Sequence, residues 1–193
     1  MKLLLHVCCG PCAIYPLSLL RESGIDISGY FYNPNIHPFK EFKRRIEALE
    51  TVSHHFDFHV IYENSYGLVD FMRKVVFHEK ERCSICYHLR LSRTIAYAKD
   101  NGFDAFSTTL LYSRYQNHQA LIDLCSELAE ANGISFYYRD FREGWQAGID
   151  QSKPLNLYRQ QYCGCVYSEQ ESFDKSLRKK QSKDNSLPSS ITI

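Results

Sequence analysis

Leu3-Leu4-Leu5-His6-Val7-Cys8-Cys9-Gly10-Pro11-Cys12 is the stretch from which the fold class can be read. An apolar run of strand length leads into a Gly-Pro turn that carries three cysteines, so a buried strand stops where the thiols begin. Strand is predicted over residues 3–8. Pro11 suits the first turn of a helix that runs to residue 23 and is closed by Gly24. In extended backbone, neighbouring side chains point to opposite faces, so Cys8 and Cys9 reach one metal together only if the chain turns between them.

Outward from this βα unit the same alternation repeats. β-rich runs stand at residues 27–32, 58–62, 103–108 and 134–138. Helical patterns cover 39–56, 67–78, 83–101 and 117–132, with Gly102 and Gly133 closing the last two. The alternation predicts an α/β fold: a mainly parallel sheet with right-handed crossovers and helices on both faces. Ligands bind such sheets beyond the carboxyl ends of the strands, where Cys8, Cys9 and Cys12 lie, and where the Asn33-Pro34-Asn35-Ile36-His37-Pro38 turn and the Leu110–Gln116 loop follow two further strands. Residues 141–150 are less regular, with Trp145 as their anchor, and 152–162 show no periodicity. A last helix is expected over 163–180. One domain over residues 1–180 and a disordered Ser-, Lys- and Asn-rich tail at 181–193 complete the expected organisation.

No apolar run approaches the ~18 residues of a membrane span, and the protein is expected in the cytoplasm. Cysteine clusters in a reducing compartment are read as metal ligands or redox groups rather than as disulfides. Seven of the 8 cysteines cluster in this way, as Cys8-Cys9-x-x-Cys12, Cys83-x-x-Cys86 and Cys163-x-Cys165. Cys83 and Cys86 share one face of a first helical turn, where the positive end of the helix favours thiolates. Seven thiols exceed the four that a tetrahedral zinc or a cubane cluster takes, which calls for a second metal or a free redox thiol. Structural zinc is the rival reading. Cys125 stands apart, because Leu121, Leu124 and Leu128 place it on a helical core stripe.

Other polar residues admit two readings each. His6 is expected as a satisfied core histidine. His37, Asn33 and Asn35 are open to function in a turn-rich loop or serve as caps. Tyr112, Tyr115 and Gln116 can stack on and hydrogen-bond a base, although loop tyrosines are common. Lys40, Lys43, Arg44 and Arg45, like Arg178-Lys179-Lys180, can touch phosphates or simply face water. A formal net charge of +1 gives no overall nucleic-acid signature, so RNA binding would need a local patch. No carboxylate pair, Gly-rich phosphate loop or Ser-His-Asp pattern is present.

Taken in order, Leu-His-Val-Cys-Cys-Gly-Pro-Cys (5–12), Tyr-Asn-Pro-Asn-Ile-His-Pro (32–38), Arg-Cys-Ser-Ile-Cys-Tyr (82–87), Thr-Thr-Leu-Leu (108–111) and Tyr-Arg-Gln-Gln-Tyr-Cys-Gly-Cys (158–165) resemble the QueH family of epoxyqueuosine reductases over residues 3–168. The resemblance implies a nucleotide-hydrolase-like, PP-loop-related (HUP-type) fold, with cysteines where true PP-loop enzymes carry a Ser-Gly-Gly phosphate loop. It implies reduction of the epoxide at the tRNA wobble base to the alkene of queuosine. The implied cofactors are a [4Fe-4S] cluster and a second, mononuclear metal, iron, without cobalamin. The implied partners are the tRNA anticodon loop carrying epoxyqueuosine and an external low-potential electron donor, with no membrane.

On that footing four cysteines hold the cluster and the others hold the iron, with Asp140 or His37 as an additional ligand or proton donor. The simplest cluster set by spacing pairs Cys9 with Cys12 and Cys83 with Cys86, leaving Cys8, Cys163 and Cys165. Substrate is gripped by Asn33, Asn35, Tyr112, Tyr115, Gln116, Arg142, Trp145, Tyr158 and Arg159. Two alternatives share these features: an iron-sulfur-dependent tRNA sulfur transferase, against which the missing phosphate loop counts, and a non-catalytic zinc-bound RNA-binding module.

Overall fold

Leu3, Leu4 and Leu5 are all fully buried, as a strand covered on both faces requires. They lie on β1 (Lys2–His6), the central strand of a sheet in a computed structural model that describes residues 1–176. The sheet is all-parallel in the order β3-β2-β1-β4-β5, with β2 at Asp26–Phe31, β3 at Val60–Tyr62, β4 at Ala105–Thr108 and β5 at Ser135–Phe136. The helices are α1 (Gly10–Glu22), α2 (Phe39–His55), α3 (Leu68–Val75), α4 (Arg82–Asp100), α5 (His118–Asn132), α6 (Trp145–Ser152) and α7 (Val166–Phe173). The expected α/β class and its alternation are thus observed.

Side chains alternate across the central strand. Leu3, Leu5 and Val7 belong to the main core with Ala13, Ile14 and Leu17 of α1 and Phe42 and Leu49 of α2. Leu4 and Tyr30 pack with Ala98 of α4. Each such side chain contributes about 1.5–3 kcal/mol by leaving water. Cys125 is fully buried beside Leu121 and Leu128, as its spacing predicts. Among the described residues no helix is long and apolar enough to cross a membrane.

The strand order reverses beside β1. Its own crossover leads to β2 on one side, while the chain leaving β3 returns to β4 on the other. Loops after β1 and β4 therefore diverge at a switch point, the position where open α/β sheets bind ligands.

Several boundaries differ from expectation for identifiable reasons. β1 ends at His6 rather than residue 8 because the Cys8 N–H leaves the ladder for Thr109 Oγ1, 3.1 Å away. The loop after β4 opens with a 3-10 turn at Thr109–Tyr112, capped by the Thr108 hydroxyl, which accepts from Leu110 N at 3.1 Å. Residues 141–150 form a 3-10 turn (Arg142–Gly144) and the start of α6. The expected last helix begins only at Val166, because Gly164 takes φ 151° and keeps Cys163–Cys165 out of it. Its predicted end, the Arg178-Lys179-Lys180 run and the 181–193 tail lie outside the described residues. Gly10 is required by close approach: a Cβ there would sit 2.3 Å from the Ala48 carbonyl oxygen of α2.

Candidate metal centre

Three helix N-termini carry the thiols. Cys9 caps α1 and Cys12 lies in its first turn, Cys83 and Cys86 begin α4, and Cys165 caps α7. The partial positive charge of each helix start favours anionic sulfur.

Cys8, Cys9 and Cys12 form one group. Their sulfurs all lie within 4.8 Å of one another, and all three residues are buried. The two adjacent sulfurs converge to 3.8 Å, since the strand has already ended. Thr109 holds Cys8 from two sides, accepting from its N–H and donating its hydroxyl to the sulfur at 3.4 Å. Gln160 bridges the other two: its Oε1 accepts from Cys9 Sγ at 3.2 Å and its Nε2 donates to Cys12 Sγ at 3.3 Å. Hydrogen bonds from Cys12 and Cys9, with the Arg90 charge and Thr109 adding to them, lower the Cys8 pKa well below the usual thiol range. Burial raises that of Cys9, and the bond to Cys8 raises that of Cys12.

Cys163 and Cys165 lie within electrostatic reach of Cys83 and Cys86. Burial pushes Cys86 up to about 12 and raises Cys83, and the charges of Cys163 and Cys165 raise both further. Cys86 and Cys165 are buried beside Phe71 and Val75 of α3, whereas Cys83 and Cys163 are exposed. Cys165 Sγ accepts from Ser168 N at 3.4 Å. Among the described residues, Cys8, Cys9 and Cys12 are the one set of three or more potential ligands whose atoms lie within 4.8 Å of one another.

Two fully buried guanidiniums stand among these sulfurs. Arg90, 2% exposed, directs Nη2 to Asn33 Oδ1 (2.6 Å), Nε to His6 Nε2 (3.3 Å) and Nη1 to Cys86 Sγ (3.8 Å). No ion pair among the described residues involves it. A buried cation without a carboxylate needs another anion, and against the lowering effect of burial the thiols of Cys86, Cys8 and Cys163 raise its pKa. Arg45, 1% exposed, pairs with Glu41 at 2.7 Å and donates to the carbonyls of Cys163 (2.7 Å) and Tyr162 (2.9 Å). It fastens the Cys163–Cys165 loop to α2. The donor set suits thiophilic metal: Cys9, Cys12, Cys83, Cys86 and Cys165 stand at positive helix ends, and Arg90 lacks a carboxylate partner among the described residues.

A sequence model of the family described as Epoxyqueuosine reductase QueH matches residues 3–171. This chain belongs to the QueH family. Similar curated proteins with that name come from Dehalococcoides mccartyi, 44% identical over 174 residues, covering 90% of this chain and 96% of the relative. The Thermotoga maritima relative is 35% identical over 175 residues (86% and 88% covered), and that of Acinetobacter baylyi 36% over 180 residues (86% and 80%).

The QueH motifs acquire physical roles in this geometry. His6 is the satisfied core histidine expected: Nδ1 meets Thr108 Oγ1 at 2.9 Å, and burial, then Arg90, lowers its pKa to about 3, keeping it neutral. Asn33 is fully buried and braces the centre, donating Nδ2 to the Val7 carbonyl (2.9 Å) while accepting from Arg90. Asn35 and His37 are buried against the cysteine loop. Among the described residues the Asn35 Oδ1 and both His37 ring nitrogens have no hydrogen-bond partner, and the His37 backbone N–H donates to Gly164 O at 2.8 Å. The His37 ring lies beside Tyr66 and Phe71, and burial lowers its pKa to about 4.

The candidate RNA-binding residues divide. Tyr112 is buried, stacked between Tyr15 and Trp145, and donates to the Trp145 carbonyl at 3.0 Å. Tyr115 is 83% exposed and meets Trp145 edge-on, with the Arg114 guanidinium over the same indole. Arg142 is half-exposed and pairs with Asp140 at 2.6 Å; that carboxylate, also 3.8 Å from His118, has its pKa lowered to about 2, chiefly by the Arg142 hydrogen bond. Tyr158 hydrogen-bonds Glu41 beneath Arg44, and Arg159 is exposed. Gln116 reaches a thiol, donating to Cys163 Sγ at 3.2 Å.

Arg45 is a correction: it does not face water with Lys40, Lys43 and Arg44 but lies in the core. Its place between Phe42, Ile46 and Leu49 on the apolar face of α2 carried that signal. Arg90 was readable too, since it follows Cys86 by one helical turn. Glu41 was readable as the i,i+4 partner of Arg45 on α2, whereas Thr109, Gln160 and Tyr87 offered no periodic signal, because their roles depend on contacts between distant segments.

Proposed function

We propose that this chain is an epoxyqueuosine reductase acting on the wobble nucleotide of tRNA. The reaction consumes two electrons and two protons, removes the epoxide oxygen as water and leaves the alkene. The observation that carries this reading is the buried Cys8, Cys9 and Cys12 triad at the sheet's switch point, with the carboxylate-free Arg90 set among the thiols of Cys86, Cys8 and Cys163, in a chain of this family. Cys83, Cys86, Cys163 and Cys165 would hold a [4Fe-4S] cluster, and Cys8, Cys9 and Cys12 a mononuclear iron. When bound, these groups would supply single electrons and a Lewis acid for the epoxide oxygen. Burial of Cys8, Cys9 and Cys12 excludes bulk water from that group, and Gln160 sits against two of its sulfurs. Arg90 and Arg45 offset the negative charge of the thiolates, while Asn33 and Thr109 set the geometry of the strand end.

The anticodon loop would be held outside the thiols by stacking on Tyr115 and the Trp145 edge, with Arg114, Arg142 and Arg159 toward phosphates. The protein is then a cytoplasmic enzyme that takes electrons from an external donor at the exposed Cys83–Cys163 side. Nothing specific favours sulfur transfer: the turn after β1, where such an enzyme would seat ATP phosphates, is filled by cysteine side chains.

The test is anaerobic purification with iron and sulfide counts, followed by incubation with epoxyqueuosine-containing tRNA and a low-potential reductant. Formation of queuosine without cobalamin is expected. One equivalent of zinc with no acid-labile sulfide, or an unchanged nucleoside, would refute it. Arg159→Ala should weaken tRNA binding at unchanged iron content; iron loss in that variant would make Arg159 structural.

A further inference from the structure

Gln116 belongs to a directed chain of hydrogen bonds that ends on a sulfur. The backbone N–H of Asn117, the N-cap of α5, donates to the Tyr87 hydroxyl at 3.3 Å. That hydroxyl donates to Gln116 Oε1 at 2.8 Å, and Gln116 Nε2 donates to Cys163 Sγ at 3.2 Å. Every donor points the same way, so each bond polarises the next and the last is stronger than an isolated amide would make. Tyr87 is 4% exposed and sits on α4, one residue beyond Cys86, which gives the chain a rigid base. Cys163, in contrast, is exposed on an irregular loop and lies outside every helix. Its own segment leaves the sulfur's direction open.

We propose that Gln116, polarised by Tyr87, is a positioning residue that aims the Cys163 sulfur and raises the reduction potential of the group this sulfur holds. The physical reason is that a hydrogen bond to a ligating thiolate withdraws charge from it and stabilises the more negative, reduced state. The inference rests on the reading of Cys163 as a cluster ligand. A hydrogen bond to a charged sulfur is strong enough that its loss should change the one-electron reduction equilibrium about tenfold, which is ~59 mV.

The experiment compares unsubstituted protein, Gln116→Met and Tyr87→Phe after anaerobic reconstitution. Iron and sulfide per chain are counted, and the midpoint potential is read by spectroscopic redox titration. Metal content is expected to be unchanged. The midpoint of Gln116→Met should fall by about that amount, and that of Tyr87→Phe should fall less, in the same direction. An unchanged midpoint in both variants at full iron content overturns the proposal. If Gln116→Met loses its iron, the Tyr87→Phe midpoint decides alone: a fall supports the proposal and no fall overturns it. Failure of the unsubstituted chain to take up iron and sulfide is a separate result, which overturns the proposed function and this inference together.

Discussion

Replacing Arg45 by Met removes the cation that joins α2 to the cysteine loop. Arg45 and Glu41 are 1% and 4% exposed and 2.7 Å apart. The exchange leaves the Glu41 carboxylate buried with the Tyr158 hydroxyl as its remaining partner among the described residues, and it strips the carbonyls of Tyr162 and Cys163 of their Arg45 donors. Breaking one side of a buried pair costs about 3–5 kcal/mol. The two carbonyls add less than their full penalty, because their loop is partly exposed and can turn them to water. At ~2–4 °C per kcal/mol for a chain of this length, Tm should fall by roughly 6–20 °C. Thermal unfolding of metal-free protein measures this, and alkylation of Cys163 should quicken in parallel as the loop is released. Exchanging Glu41 and Arg45 together for apolar residues should cost less than the two single exchanges summed, because no charge is then stranded. A single Arg45→Met variant within about 1 kcal/mol of the parent, with unchanged alkylation, would refute the reasoning.

Gly10→Ala should destabilise by about 1–3 kcal/mol despite the better helix propensity of alanine, because its Cβ would meet the Ala48 carbonyl at 2.3 Å; a rise in Tm would contradict the close approach of α1 to α2. Asp140 should titrate near pH 2 rather than at its ordinary 3.8, as read by NMR of its carboxyl carbon. Its folded pKa is depressed, so its contribution to stability is complete above pH 3.8 and lost as pH falls toward about 2; Arg142→Ala should return the titration to the ordinary range.

By itself the sequence determined the alternation of strands and helices, the parallel class of the sheet, the closing glycines and the thiol-bearing turn after β1. These follow from periodicities of two and 3.6 residues and from Gly and Pro backbone limits, all local properties. It also showed Cys125 as a core residue and His6 as buried and satisfied. Only the tertiary structure decided which thiols stand together. The strand order brings Thr109, just after β4, against Cys8, and the irregular 153–165 segment lays Gln160 across Cys9 and Cys12. The same holds for the cations. Arg45 carries the charge of a solvated residue, yet its place on the apolar face of α2 buries it, while Arg90 meets Cys86 of its own helix and the thiols of Cys8 and Cys163 from two other segments. A charge or a thiol is identical in sequence wherever it sits; burial and the neighbours supplied by distant segments decide what it does.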